Sequence, residues 1–183
     1  MSANGAASDF VDAIAECKGR ILVTGIGKSG CVGRRMSVSL MSTGTPAHFV
    51  HAAEWVHGDL GCALAGDVVV CLSHSGGTSE LVHAMGHIQQ RDPAPKILSI
   101  IGAADEAGTP RDSKLGALSD ATLSYPISLV QPEPVGGAPT SSVVAQEMMV
   151  NAVVCELIAR REFGVSDFAV NHPGGSLGQK LSK

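Results

Sequence analysis

Aromatic side chains are scarce in this chain: one Trp, one Tyr and four Phe make up 3% of its 183 residues. Charge is sparse as well, at 16%, and the net balance is −4. Both argue against nucleic acid, which favours stacking rings and a basic face, and a small-molecule ligand fits better. Cysteine is present only as Cys17, Cys31, Cys62, Cys71 and Cys155, an odd number without a Cys-x-x-Cys pair. These are expected to be buried free thiols rather than disulfides or zinc ligands, which points to a reducing cytoplasm. The opening Met1–Ser8 lacks the basic and apolar regions of a signal peptide. No later apolar run approaches the roughly 20 residues that span a bilayer, so neither export nor membrane insertion is expected.

What is present is an alternation of strand and helix patterns, in a length that suits one domain over residues 1–183. Ser8 is read as the cap of a helix through Cys17. Arg20–Thr24 reads as a strand, Gly25–Gly30 as a loop, and Ser29–Met41 as a second helix. Ala47–Val50 is a second strand, followed by a short helical or irregular segment through His57. Val68–Leu72 is apolar on both faces, as in a strand buried in a parallel sheet, and a helix over Ser79–Gln90 follows it. Lys96–Ile101 and Ala121–Tyr125 complete five strands, and Thr140–Phe163 is a long helix closed by Gly164. The expected fold is α/β: a mainly parallel five-stranded sheet covered by helices on both faces, with the ligand beyond the carboxyl ends of the strands.

Candidate chemistry gathers at that edge. Ser73, Ser75, Thr78 and Ser79 surround Gly76 and Gly77 where a strand empties into a helix, so hydroxyls, free N–H groups and the positive end of the helix dipole can hold a phosphate. Glu80 falls in the first turn of that helix, as a base or as a complement to the dipole. Gly25-Ile-Gly-Lys-Ser-Gly30 fits the dinucleotide pattern GxGxxG, but the second strand ends without the carboxylate that would hold a ribose. A Walker loop fails too, since Leu22 stands where a glycine is needed. What remains is a tight turn presenting Lys28. His51, Glu54 and His57, spaced by three, would share one side of a helix. HxxExxH is not a recognised catalytic zinc spacing, so substrate contact is favoured over a required metal, and Asp59 is read as a turn or helix cap. His172, held by the Pro-Gly-Gly turn that follows it, is the best candidate for proton transfer.

Gly27-Lys-Ser-Gly30, Ser42-Thr-Gly-Thr-Pro46, Phe49-Val-His51, His57-Gly-Asp-Leu-Gly61, Ser73-His-Ser-Gly76, Ala138-Pro-Thr-Ser-Ser142 and His172-Pro-Gly-Gly175 occur in one register from about Gly19 onward. Together they resemble the sugar isomerase (SIS) domain of the arabinose-5-phosphate isomerases. The resemblance implies a flavodoxin-like three-layer sandwich and interconversion of D-ribulose 5-phosphate and D-arabinose 5-phosphate, which in bacteria feeds synthesis of the octulosonate sugar of lipopolysaccharide. It also implies a homodimer or homotetramer with sites built between subunits. The family's catalytic lysine, glutamate and histidine fall on Lys28, Glu80 and His172. His57 matches a substrate-binding histidine, Gly44 and Thr45 a substrate-contacting pair, and His51 a substrate contact able to hold zinc, which is not required.

Two departures accompany the resemblance. The family's further catalytic acid falls on Gln131, which cannot ionise, and Glu133 two residues on is the candidate substitute. The family's common architecture continues into a pair of CBS domains, whereas this sequence stops at Lys183, as a natural short form or a trimmed one. The leading expectation is an isomerase. Its rivals are a sugar-phosphate-binding regulatory module with little turnover, and an SIS isomerase of another ketose phosphate.

Overall fold

A computed structural model describes residues 3–106, 109, 112–126, 133–174 and 178. The chain runs α1 (Ala3–Ala15), β1 (Ile21–Gly25), α2 (Gly27–Ser42), β2 (Ala47–His51), two 3₁₀ turns (Trp55–His57 and Asp59–Cys62), β3 (Val68–Leu72), α3 (Ser79–Gln89), β4 (Lys96–Gly102), α4 (Lys114–Ala117), β5 (Ala121–Tyr125), α5 (Ser141–Arg160) and α6 (Val165–Asn171). Every strand pairing is parallel, in the order β2-β1-β3-β4-β5.

The strands' apolar runs explain the layering. Val68, Val70 and Leu72 point to one face, where they meet Phe10 and Ile14 of α1, Met36 and Leu40 of α2, and Val150, Val153 and Leu157 of α5. Val69 and Cys71 point to the other, against Leu81, Met85 and Ile88 of α3 and Leu115 of α4. Side chains alternate along a strand, so a β-branched run with no polar face is what a sheet covered on both sides demands. Each such buried side chain contributes roughly 1.5–3 kcal/mol of transfer free energy. This is the expected α/β three-layer sandwich, with a sheet that is parallel throughout its described strands.

Several expectations need correction. Ser8 lies inside α1 and donates its hydroxyl to Asp12 Oδ2 (3.0 Å) instead of capping the helix. Gly164 does not close a helix reaching Phe163: α5 ends at Arg160, and Gly164 caps α6, its N–H donating to Asp167 Oδ2 at 2.8 Å. Neither α4 nor α6 was expected, because four and seven residues carry too little periodicity to be read as helices. Of the cysteines only Cys71 is buried, where burial pushes its thiol up, while Cys31 and Cys155 are exposed on helices. Finally, α5 is long and apolar enough to cross a membrane by length and composition, but Ala145, Val150, Val153, Val154 and Leu157 are buried in the core of this fold.

Candidate functional site

The order of the strands reverses at β1, whose neighbours β2 and β3 leave their carboxyl ends in different directions and open a crevice between the following loops. Three of the expected segments flank that crevice. Lys28 is not on a loop, as the sequence suggested, but in the first turn of α2, exposed at the carboxyl end of β1. The helix starts this early because Gly25 and Gly30 lack side chains. A Cβ on Gly25 would stand 3.0 Å from the Ser29 and Gly30 backbone, and one on Gly30 would stand 3.1 Å from the Gly25 carbonyl oxygen. The GxGxxG spacing therefore serves strand-to-helix packing here.

The loop after β3 is held by its own hydroxyls. Ser73 Oγ lies 2.9 Å from Thr78 Oγ1 and accepts the Gly76 N–H at 3.1 Å, while Ser75 Oγ accepts the Gly77 N–H at 3.1 Å. Gly76 has φ of +64° and packs so tightly that a Cβ would stand 2.3 Å from Ser113 Oγ. That position is closed to other residues by conformation and space together. Thr78 is the N-cap of α3 but makes no side-chain cap, so apart from the Glu80 N–H, which its own carboxyl engages, the first N–H groups of the helix keep their capacity to bind an anion. Ser79 donates to Glu80 Oε2 at 2.8 Å. The Glu80 backbone N–H and the Ser79 hydroxyl are the main causes that hold the Glu80 carboxyl below its ordinary value, so it is ionised.

His51 ends β2, and its Nδ1 accepts the Ala53 N–H at 3.3 Å. Successive i, i+3 bonds, Glu54 N–H to His51 O and His57 N–H to Glu54 O, both 3.0 Å, put His51, Glu54 and His57 on one exposed side. The buried Trp55 anchors this segment, its Nε1–H donating to Thr24 Oγ1 of β1 at 2.9 Å. Asp59 opens the second 3₁₀ turn behind Gly58. The described residues contain no group of three or more His, Cys, Asp or Glu side chains able to hold a metal ion. Zinc at His51, which the resemblance allows without requiring, is thus given no set of three ligands by the described residues of one copy.

The remaining candidates lie elsewhere. Gly44 and Thr45 stand between α2 and β2, at the amino edge of the sheet, where Gly44 O accepts from Arg161 Nη1 at 3.2 Å. Thr45 is buried and its Oγ1 has no partner among the described residues. His172, at the end of α6, is on that same edge. Its Nδ1–H donates to Phe168 O (2.8 Å), its Nε2 lies 3.1 Å from Ser42 Oγ at the end of α2, and its ring stacks on Phe168. Fourteen residues of α2 separate Lys28 from Ser42, about 21 Å of helix. One copy of the chain thus brings Lys28, His51, His57, Ser73, Ser75, Thr78, Ser79 and Glu80 to one edge, and Gly44, Thr45 and His172 to the other.

Glu133 does not stand ready as a base. Its carboxylate caps α5, accepting from Thr140 N–H (2.9 Å), Thr140 Oγ1 (2.6 Å), Ser141 N–H (3.1 Å) and Ser142 N–H (2.8 Å). The bonds from Ser142 and Thr140 hold its carboxyl down to about 2. Gln131 and Gly175 lie outside the described residues. His74, which the sequence reading did not single out, sits inside the Ser73–Glu80 loop. Its Nδ1 lies 2.9 Å from Tyr125 Oη, to which the buried Gln146 also donates at 3.3 Å. The signal available was an imidazole between two hydroxyls at the end of a buried strand.

Residues 13–155 match the SIS domain family. The chain belongs to the SIS family. The SIS chain is 41% identical over 165 residues to the arabinose 5-phosphate isomerase KdsD of Escherichia coli K12, covering 90% of this chain and 47% of that protein. It is 39% identical over 176 residues to the arabinose 5-phosphate isomerase GutQ of Salmonella typhimurium, covering 94% and 52%. The chain therefore spans about half the length of the curated relatives it matches. A solved structure of an Escherichia coli CFT073 protein in complex with arabinose 5-phosphate superposes on this SIS domain with a TM-score of 0.81 and 28% identity, covering 92% of this chain and 85% of that one.

Proposed function

We propose that this chain is an aldose–ketose isomerase that interconverts D-ribulose 5-phosphate and D-arabinose 5-phosphate through an enediolate. The observation that carries the reading is the loop from Ser73 to Glu80, a helix N-terminus left open to an anion beside a carboxylate held ionised. The identity to KdsD and the superposition on an arabinose 5-phosphate complex support it. In this reaction a proton leaves C1 of the ketose, negative charge develops on O2, a proton passes from O1 to O2, and the carbon proton returns at C2. The hydroxyls of Ser73, Ser75, Thr78 and Ser79 and the α3 N-terminus hold the phosphate. The Lys28 ammonium stabilises the developing oxyanion, and His51 and His57 position the sugar.

Glu80, held below the usual carboxylate range, is a poor proton carrier at neutral pH, whereas an imidazole both takes and gives a proton there. We assign the carbon proton to His172 and assign Glu80 to orienting and charging the site. Since His172 stands at the opposite sheet edge from Lys28, a second copy supplies it together with Gly44 and Thr45, in a homodimer or homotetramer. No step is routed through a metal, and a reducing cytoplasm suits five free cysteines.

Incubation with ribulose 5-phosphate in deuterated water tests the reading. Deuterium is expected to enter at the exchanging carbon and arabinose 5-phosphate to accumulate, with or without chelator. Binding without exchange would favour a regulatory sugar-phosphate module and overturn the proposal, and exchange only with hexulose phosphates would overturn its substrate.

A further inference from the structure

The outer face of α3 carries two imidazoles that the isomerase reading does not use. His83 and His87 are both exposed and one helical turn apart, with Nε2 atoms 3.3 Å from each other. The rings meet edge to face, centroids 4.8 Å apart and planes at 83°. Their helix is fixed from behind, since Leu81, Ala84, Met85 and Ile88 are buried in the core, so this face cannot roll away from solvent.

The spacing matches a chelate. Two imidazole nitrogens, each about 2.0–2.1 Å from a tetrahedral zinc ion, stand about 3.3–3.4 Å apart. At that distance one ring donates an N–H to the other, and loss of that proton by a tautomer shift, with a small rotation of both rings, points both Nε2 lone pairs at a shared cation. We infer that His83 and His87 form a surface site for a late first-row divalent cation, Zn²⁺, Ni²⁺ or Cu²⁺. Imidazole pairs select these ions over Mg²⁺ and Ca²⁺, which take oxygen ligands. Glu80, three residues before His83, is not a third ligand: no set of three such side chains converges among the described residues, and its carboxylate is bound to Ser79. Water completes the coordination. The bound ion ties one turn of α3 to the next, just behind the turn that presents Glu80.

Titration of the full chain with ZnCl₂, followed by histidine-ring NMR, tests the site, with NiCl₂ calorimetry for affinity. The His83 and His87 ring signals are expected to shift together at one equivalent. Metal at a hundredfold excess over its Kd is expected to raise Tm by roughly 5–10 °C. Loss of even an outer partner of a metal ligand costs about 10–100-fold in affinity, so His83→Gln or His87→Gln is expected to cost at least tenfold. The double variant, which keeps good helix formers on an exposed face, is expected to stay folded and lose the site, and His51→Ala to keep it. Unshifted His83 and His87 rings, or equal affinity in the double variant, would overturn the inference.

Discussion

At the scale of the residue, the decisive feature is that two carboxylates near the carboxyl edge are held ionised by neighbours that differ in kind. Glu80 is lowered by its own N–H and the Ser79 hydroxyl, and it is exposed in the first turn of α3. Ser79→Ala removes one of these supports, so the Glu80 pKa rises towards that of an ordinary glutamate. If Glu80 must be ionised, activity falls as pH drops through its pKa. The acid limb of kcat/KM is then expected below the usual glutamate range in the native chain and at higher pH in Ser79→Ala. An unmoved limb would show that Glu80 ionisation does not govern the rate. The Ser73–Glu80 composition was legible in the sequence, because hydroxyls and glycines after an apolar strand have few structures open to them. The engagement of His74 by Tyr125, itself bonded by Gln146, was not, since Tyr125 lies 51 positions further along the chain and meets His74 only through the β3–β4–β5 order.

At the scale of the element, helix starts carry much of the account. The start of α2 depends on two glycines, that of α3 is left open, and that of α5 is closed by Glu133, which leaves this carboxylate unfit to replace the acid missing at Gln131. The Glu133 pKa, about 2, lies below the roughly 4.3 of an unfolded glutamate, so the cap stabilises fully above that unfolded value and its contribution is lost as pH falls towards 2. Between pH 5.5 and pH 2.5, Tm of the native chain is therefore expected to fall further than that of Glu133→Gln, which has no charge to lose there. Parallel losses would contradict the capping role. Long elements were legible because periods of two and of 3.6 persist over enough residues to be seen. The short helix α6 was hidden behind Gly164, which signals a helix end and here begins a new helix.

At the scale of the whole molecule, the alternation of strands and helices fixes which edge each loop occupies. Loops that leave strands lie at the carboxyl edge, and loops that enter them lie at the amino edge. That rule was available in the sequence for Gly44 and Thr45, which precede β2, and it separates them from Lys28 and Glu80. For His172 the sequence could not do the same, because its place is set by the tertiary contacts that it and Asn171 make to Ser42, some 130 positions earlier. On the proposed function, a site divided in this way is completed by a second copy of the chain. The direct measurement is subunit complementation: Lys28→Ala and His172→Ala chains, each inactive alone, are mixed, refolded together and assayed for isomerisation of ribulose 5-phosphate. If second copies complete the sites, random pairing in a dimer leaves one intact site in half of the dimers, and about a quarter of native activity is expected to return. A mixture that forms hetero-oligomers yet stays at background would contradict the account.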